Sequence, residues 1–192
     1  MGENKLICIC GMCGSGKSVV ADEFTVAGFC FVRFGQLTLD IAKERGVSGE
    51  AAEKEIREAL RAEHGSAAFA KLNIPKFDAA LEKGNVIGDG LYSWSEYKVL
   101  KARYGENMKI IAVWAPPELR YERISNRHSD KNDTTLRNRN FSKEEAKNRD
   151  YAEIENIEKG GPIAMADYLL KNTGTKEELI QNAKNIIKEF LG

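Results

Sequence analysis

Short apolar runs alternate with stretches of helical period along the chain. Strands are expected at 5–10, 29–33, 85–88, 109–114 and 168–171. Helices are expected at 17–27, 37–45, 49–64, 76–83, 93–103, 117–127, 142–158 and 175–190. Leu6-Ile7-Cys8-Ile9-Cys10 is apolar throughout, the signature of a strand buried on both faces. In 17–27 the residues Val19, Val20, Phe24 and Ala27 share one helical face. Ser93 with Glu96, Ser142 with Glu145, and Thr175 with Glu178 read as capping boxes at helix starts. Five strands alternating with helices predict an α/β fold with a mostly parallel sheet. Two excursions break the alternation: a helical block at 37–83 and an arginine-rich segment at 118–150. No internal repeat or low-complexity linker divides the chain, so one domain over 1–192 is expected.

Composition narrows the picture by exclusion. The 192 residues carry 29 basic and 29 acidic side chains, a formal net charge of zero. That balance argues against non-specific nucleic-acid binding. No apolar run approaches the ~20 residues of a membrane span. The N-terminal residues form no signal peptide, and Gly2 opens no good myristoylation signal, so a cytoplasmic location is expected.

Candidate chemistry begins at Gly11-Met12-Cys13-Gly14-Ser15-Gly16-Lys17-Ser18, which fits G-x-x-x-x-G-K-[ST], the phosphate-binding P-loop. A strand precedes it and a helix, starting near Val19, follows. Glycines let the backbone curl round an anion, and the helix N-terminus adds its positive dipole end. Lys17 is placed to reach β- and γ-phosphates, and Ser18 to ligate Mg²⁺. Cys10-Gly11-Met12-Cys13 is formally C-x-x-C. Cys8 and Cys10 nevertheless fall on the strand as small hydrophobes. Cys13 lies beside Lys17 and a helix N-terminus, which favours its thiolate.

Further along, Asn85-Val86-Ile87-Gly88-Asp89-Gly90 is an apolar strand ending in a carboxylate. Asp89 reads either as a Mg²⁺ organiser or as a cap for the next helix. Arg120, Arg123 and Arg127 share a helix face at i, i+3 and i+7. With Arg137, Arg139 and Arg149 they suit a phosphate-binding flap that excludes water, or a salt-bridged solvated pair of helices. Arg57 and Arg61 either bind an acceptor phosphate or pair with Glu53 and Glu58. His64 reads as a surface or capping histidine. Phe34, Tyr92, Trp94 and Tyr97 flank strand ends, where they stack on a flat ligand or pack in the core. Asp130-Lys131-Asn132-Asp133 misses the guanine-recognition signal, and G-x-G-x-x-G spacing is absent.

Taken together, the chain resembles the nucleoside-monophosphate kinase superfamily, which includes adenylate kinases and dephospho-CoA kinases. More narrowly, it resembles an adenylate-kinase-related family of archaea and bacteria. The resemblance runs nearly end to end. It rests on the P-loop, Val86-Ile87-Gly88-Asp89-Gly90, Ala115-Pro116-Pro117 leading into Arg120, Arg123-Ile124-Ser125-Asn126-Arg127, Arg149-Asp150, Ala166-Asp167-Tyr168 and Asn172-Thr173-Gly174. It implies a three-layer sandwich with sheet order 2-3-1-4-5. The block 37–83 would cover the acceptor, and 118–150 would form a lid. It also implies that Arg123 stacks on adenine, that Arg127 and Arg149 contact phosphates, and that Asn172 and Gly174 lie at the adenine edge.

The departures concern the acceptor. Such kinases often carry Gly-Asp after the second strand, with an Arg three residues beyond the Asp. Here Gly35, Gln36 and Leu39 stand in those places. The expected activity is therefore Mg-ATP-dependent phosphoryl transfer to a small, nucleotide-like acceptor, with Gln36, Arg57, Arg61 and Tyr92 as candidate acceptor contacts. A dephospho-CoA kinase-like enzyme is the alternative within that class. An ATP-binding regulatory NTPase is the alternative outside it. The chain is expected to act as a monomer or homodimer, with no nucleic-acid or membrane partner.

Overall fold

A computed structural model describes residues 4–126 and 141–191. Five parallel strands form one sheet in the order β2-β3-β1-β4-β5. They are β1 (Leu6–Cys10), β2 (Cys30–Arg33), β3 (Val86–Asp89), β4 (Met108–Trp114) and β5 (Tyr168–Lys171). The helices in chain order are α1 (Lys17–Val26), α2 (Gln36–Glu44), α3 (Glu50–His64), α4 (Ala68–Leu81), α5 (Trp94–Tyr104), α6 (Pro117–Ser125), α7 (Lys143–Ile157), α8 (Gly160–Ala164) and α9 (Lys176–Leu191).

The period of two in β1 sorts its side chains between two cores. Leu6, Cys8 and Cys10 join Phe69 and Phe77 of α4, Leu100 of α5, and Ile110 and Ala112 of β4. Ile7 and Ile9 point the other way, toward Val20 and Phe24 of α1 and Leu179 and Ala183 of α9. Both faces of the sheet are thus covered, which is why the strand is apolar at every position. A smaller cluster of Tyr121, Ile124 and Ala146 packs α6 against α7, with Cys13 and Phe141 at its edge.

All three expected capping boxes form, at Ser93, Ser142 and Thr175. Two helices depart from the sequence reading. The helix expected from 76 starts at Ala68 and carries Pro75 inside it. Burial of Ala68, Phe69, Ala70 and Phe77 outweighs the proline's lost hydrogen bond. Asn73 in the same helix donates to Phe69 O at 2.8 Å and Phe34 O at 3.2 Å, tying α4 to the end of β2. The five-residue α8 falls between the helix expected to end at 158 and the strand expected from 168.

Candidate active site

The C-terminal ends of β1, β3 and β4 carry the site. Gly11, Gly14 and Gly16 all have positive φ, at 140°, 77° and 103°. Each also sits where a Cβ would strike another element: Val113 O at the end of β4, Arg120 O in α6, and Asn172 after β5. The loop is therefore glycine-rich for close packing as well as for curvature. It feeds into α1, whose first N–H groups have no intrahelical acceptor. Met12, Cys13 and Ser15 complete the loop. Ser18 and Val19 lie in the first turn of α1.

Lys17 folds back over the loop. Its Nζ donates to Gly11 O at 2.8 Å and Met12 O at 3.0 Å. Burial, and then the nearby Lys159 ammonium, push its pKa down to about 8. Asp89 pairs in register with Ile9 on one side and Arg33 on the other, so its carboxylate ends the strand beside the P-loop. The next two N–H groups, of Gly90 and Leu91, both bond to Ile9 O at 3.2 and 3.1 Å. Burial raises the Cys8 and Cys10 thiols, that of Cys10 to about 12, in keeping with packing roles. All four cysteines are free.

The arginines divide by role. Arg120 is buried and ties three pieces together. It donates to Ala115 O at 3.1 Å, to Cys13 O of the P-loop at 3.0 Å, and to Asp150 of α7 at 2.5 Å. Tyr121 adds a hydrogen bond of 3.0 Å to the same carboxylate. Arg123 donates to Asn172 O at 3.0 Å and Asn172 Oδ1 at 3.3 Å. Asn172 in turn donates to Ser15 O at 2.8 Å, linking the turn after β5 to the P-loop. Gly174 follows in that exposed turn. Arg149 lies over the Phe141 ring at 5.3 Å and donates to Glu153 at 3.1 Å. Arg127, with Arg137 and Arg139, lies outside the described residues.

Glu153 and Lys159 join this centre and were not singled out in the sequence. Lys159 Nζ donates to Glu153 Oε2 at 2.5 Å and stands 5.1 Å over the Tyr92 ring. Burial alone would raise the Glu153 carboxyl, but Lys159 and Arg149 overcome it and hold the pKa at about 2. Both residues sit in a charge-rich run that reads as solvated helix. The helix stop at Gly160-Gly161 is the one signal that could have marked Lys159.

The candidate acceptor residues separate. Tyr92 lies against Gly90 and near Gly35 at the ends of β3 and β2. Burial and the Asp89 carboxylate push its phenol up to about 12. Arg61 stacks on Phe69 at 5.2 Å and lines a cavity of about 180 Å³ with Ser66, Ser93, Ser95 and residues of α7. Its Nε is buried without a hydrogen-bond partner among the described residues. Arg57 instead pairs with Glu50 at 2.6 Å and with the buried Glu53 at 3.6 Å, whereas the sequence alternative named Glu53 and Glu58. Gln36 donates to Asp40 at 2.9 Å on the surface of α2. Phe34 packs on Phe77, and Trp94 stacks on Tyr97, so the candidates Phe34, Trp94 and Tyr97 are packing residues. His64 ends α3 and faces Glu63. A larger hollow of about 270 Å³ lies against Met108 and Ile110, at the opposite end of the sheet from the P-loop.

With this geometry in place, comparison with known proteins is informative. A family model described as an AAA domain (AAA_18) matches residues 7–153. The chain is 34% identical over 191 residues to a UPF0200 protein of Thermococcus gammatolerans, covering 97% of this chain and 95% of that one. The chain belongs to the UPF0200 family. This UPF0200 chain has the P-loop kinase fold. A shikimate kinase from Bacteroides thetaiotaomicron superposes with a TM-score of 0.59 at 14% identity, over 96% of this chain and 98% of that one. Dephospho-CoA kinase from Campylobacter jejuni superposes with a TM-score of 0.53 at 16% identity, over 98% of each chain. No helix among the described residues of the UPF0200 chain is long and apolar enough to cross a membrane.

Proposed function

We propose that this protein is an ATP-dependent small-molecule kinase. The observation that carries the reading is the P-loop itself. Three glycines of positive φ curl the loop where a Cβ would strike neighbouring elements, Lys17 and Ser18 open the helix beneath it, and Asp89 ends the adjacent strand. Phosphoryl transfer asks for positioning and neutralisation of charge more than covalent chemistry. Lys17 would hold the β- and γ-phosphates, and Arg149 would neutralise charge during transfer. Arg127 keeps its proposed role as a second phosphate-contacting arginine.

The residues fit magnesium bound together with the nucleotide. Among the described residues no group of three or more His, Cys, Asp or Glu side chains forms a metal cage. A magnesium ion carried by phosphate oxygens needs only one or two protein ligands, and Ser18 and Asp89 would supply them. When bound, the ion would neutralise charge on the phosphates. Arg123, Asn172 and Gly174 would border the base. The acceptor would enter between α3, the start of α5 and α7, where Arg61, Ser93 and Ser95 line the 180 Å³ cavity. Arg61 with these hydroxyls suits a nucleotide-like acceptor carrying an anionic group. Dephospho-CoA, named in one structural neighbour, belongs to the same class.

The test is ADP production from Mg-ATP with and without a panel of nucleotides, nucleosides, hydroxy acids and dephospho-CoA. Stimulation by one acceptor is expected. Slow hydrolysis indifferent to every acceptor would overturn the kinase reading in favour of a regulatory NTPase.

A further inference from the structure

Lys159 follows Glu158, whose φ of 52° is the one positive value at a non-glycine residue among the described residues. That conformation costs an L-residue about 1–2 kcal/mol. It ends α7, with the Lys159 N–H bonded to Glu153 O at 3.2 Å. The lysine side chain is thereby turned inward and is only 2% exposed, although lysine is almost never buried without a partner.

Its surroundings point to an anion. Glu153 takes one of the three ammonium donors, and no other hydrogen-bond acceptor among the described residues takes the remaining two. Lys17 lies close enough that the Lys159 ammonium disfavours its charge. On the other side stands Tyr92, whose hydroxyl reaches the glycines ending β2 and β3. Lys159 therefore stands between the lysine of the P-loop and Tyr92. Two ammoniums and the Arg149 guanidinium converge across the single carboxylate of Glu153. A buried cation with unused donors is costly, and a phosphate with its charged oxygens would relieve that cost.

We propose that Lys159 is a second phosphate-binding lysine, contacting the terminal phosphate of a bound nucleoside triphosphate, with Glu153 as its positioning residue. The inference rests on the nucleotide reading of the P-loop and deepens it. ADP lacks the group that Lys159 addresses, so the two nucleotides separate this role from a purely structural one.

The experiment is calorimetric titration of the full chain, in magnesium, with the β,γ-imido analogue of ATP and with ADP. Lys159→Met should weaken the triphosphate analogue about 10- to 100-fold, the loss of a charged hydrogen bond, and ADP by no more than about threefold. Lys159→Arg should restore most of that difference. Glu153→Gln, which leaves the ammonium unneutralised, should shift the affinity ratio about threefold toward the triphosphate. Equal losses for both nucleotides, or no loss, would overturn the proposal. If circular dichroism shows Lys159→Met unfolded, Glu153→Gln decides alone, and an unchanged or reversed ratio sinks it. Wild-type protein that binds neither nucleotide overturns the underlying reading as well.

Discussion

Gly11, Gly14 and Gly16 each press on a different part of the frame: β4, α6 and the turn after β5. In the α2–α3 region, Gly46 and Gly49 also have positive φ, yet a Cβ on either would meet nothing within 4 Å. The same contrast holds for charge. Around the P-loop, Arg120 and Asp150 form a buried pair, and Arg123 reaches the loop through Asn172. On α2 and α3, Gln36 meets Asp40, Arg57 meets Glu50, and Lys54 meets Glu58, mostly in contact with water. The phosphate end is fixed by backbone packing and buried charge. Helices α2 and α3 carry mostly exchangeable pairs at their surface. A family sharing one phosphate donor and differing in acceptors would need this division.

The contrast can be broken most directly at Arg120. Arg120→Ala leaves Asp150 buried without its cation, and should cost about 3–5 kcal/mol of unfolding free energy in urea titrations. A loss below about 1 kcal/mol would show that the P-loop frame does not depend on this anchor. Next in size is Lys17→Met. It should depress ATP turnover about 10²- to 10³-fold, as loss of a phosphate clamp does. Because it also removes a buried charge, the nucleotide-free protein should gain roughly 1–2 kcal/mol, read as a higher melting temperature. A variant less stable than wild type would contradict the account of Lys17.

A third test uses pH at the seam between the two regions. Glu96 is fully buried at the start of α5. Burial raises its pKa to about 7, despite hydrogen bonds from the Tyr92 and Ser93 N–H groups. The folded protein therefore holds this proton more tightly than the unfolded chain. The resulting stability is fully present below the ordinary carboxylate value of about 4.5 and is lost as pH rises through 7. Glu96→Gln removes that loss, so its stability relative to wild type should climb between pH 5 and pH 8. Parallel denaturation curves for the two proteins at both pH values would refute it. The smallest effect belongs to Arg57→Ala, expected to change stability by less than about 1 kcal/mol. A larger loss would show that α3 is as tightly fixed as the P-loop.

Legibility in the sequence follows the same division. The strand order came through resemblance, and the P-loop from its spacing and context. Both rest on local patterns of glycine and apolar residues. The start of α4 was misplaced because tertiary burial of Phe69 and Ala70 decides it, and a single-sequence period near Pro75 does not register that. Spacing puts Arg120, Arg123 and Arg127 on one helix face. Spacing cannot reveal that Asp150, thirty residues away, draws Arg120 into a buried pair. Lys159 was invisible for a similar reason. A lysine among glutamates reads as solvated until one left-handed residue turns it inward.

The bonds from Lys17 to Gly11 O and Met12 O have a consequence for affinity. The loop already supplies oxygens to its own lysine, so a nucleotide arriving there replaces existing partners. What the lysine then contributes is the difference between a charged phosphate contact and two carbonyl bonds, which is smaller than either alone. In this conformation the P-loop is a competitor for its own lysine, and it favours the ligand whose oxygens carry the most charge.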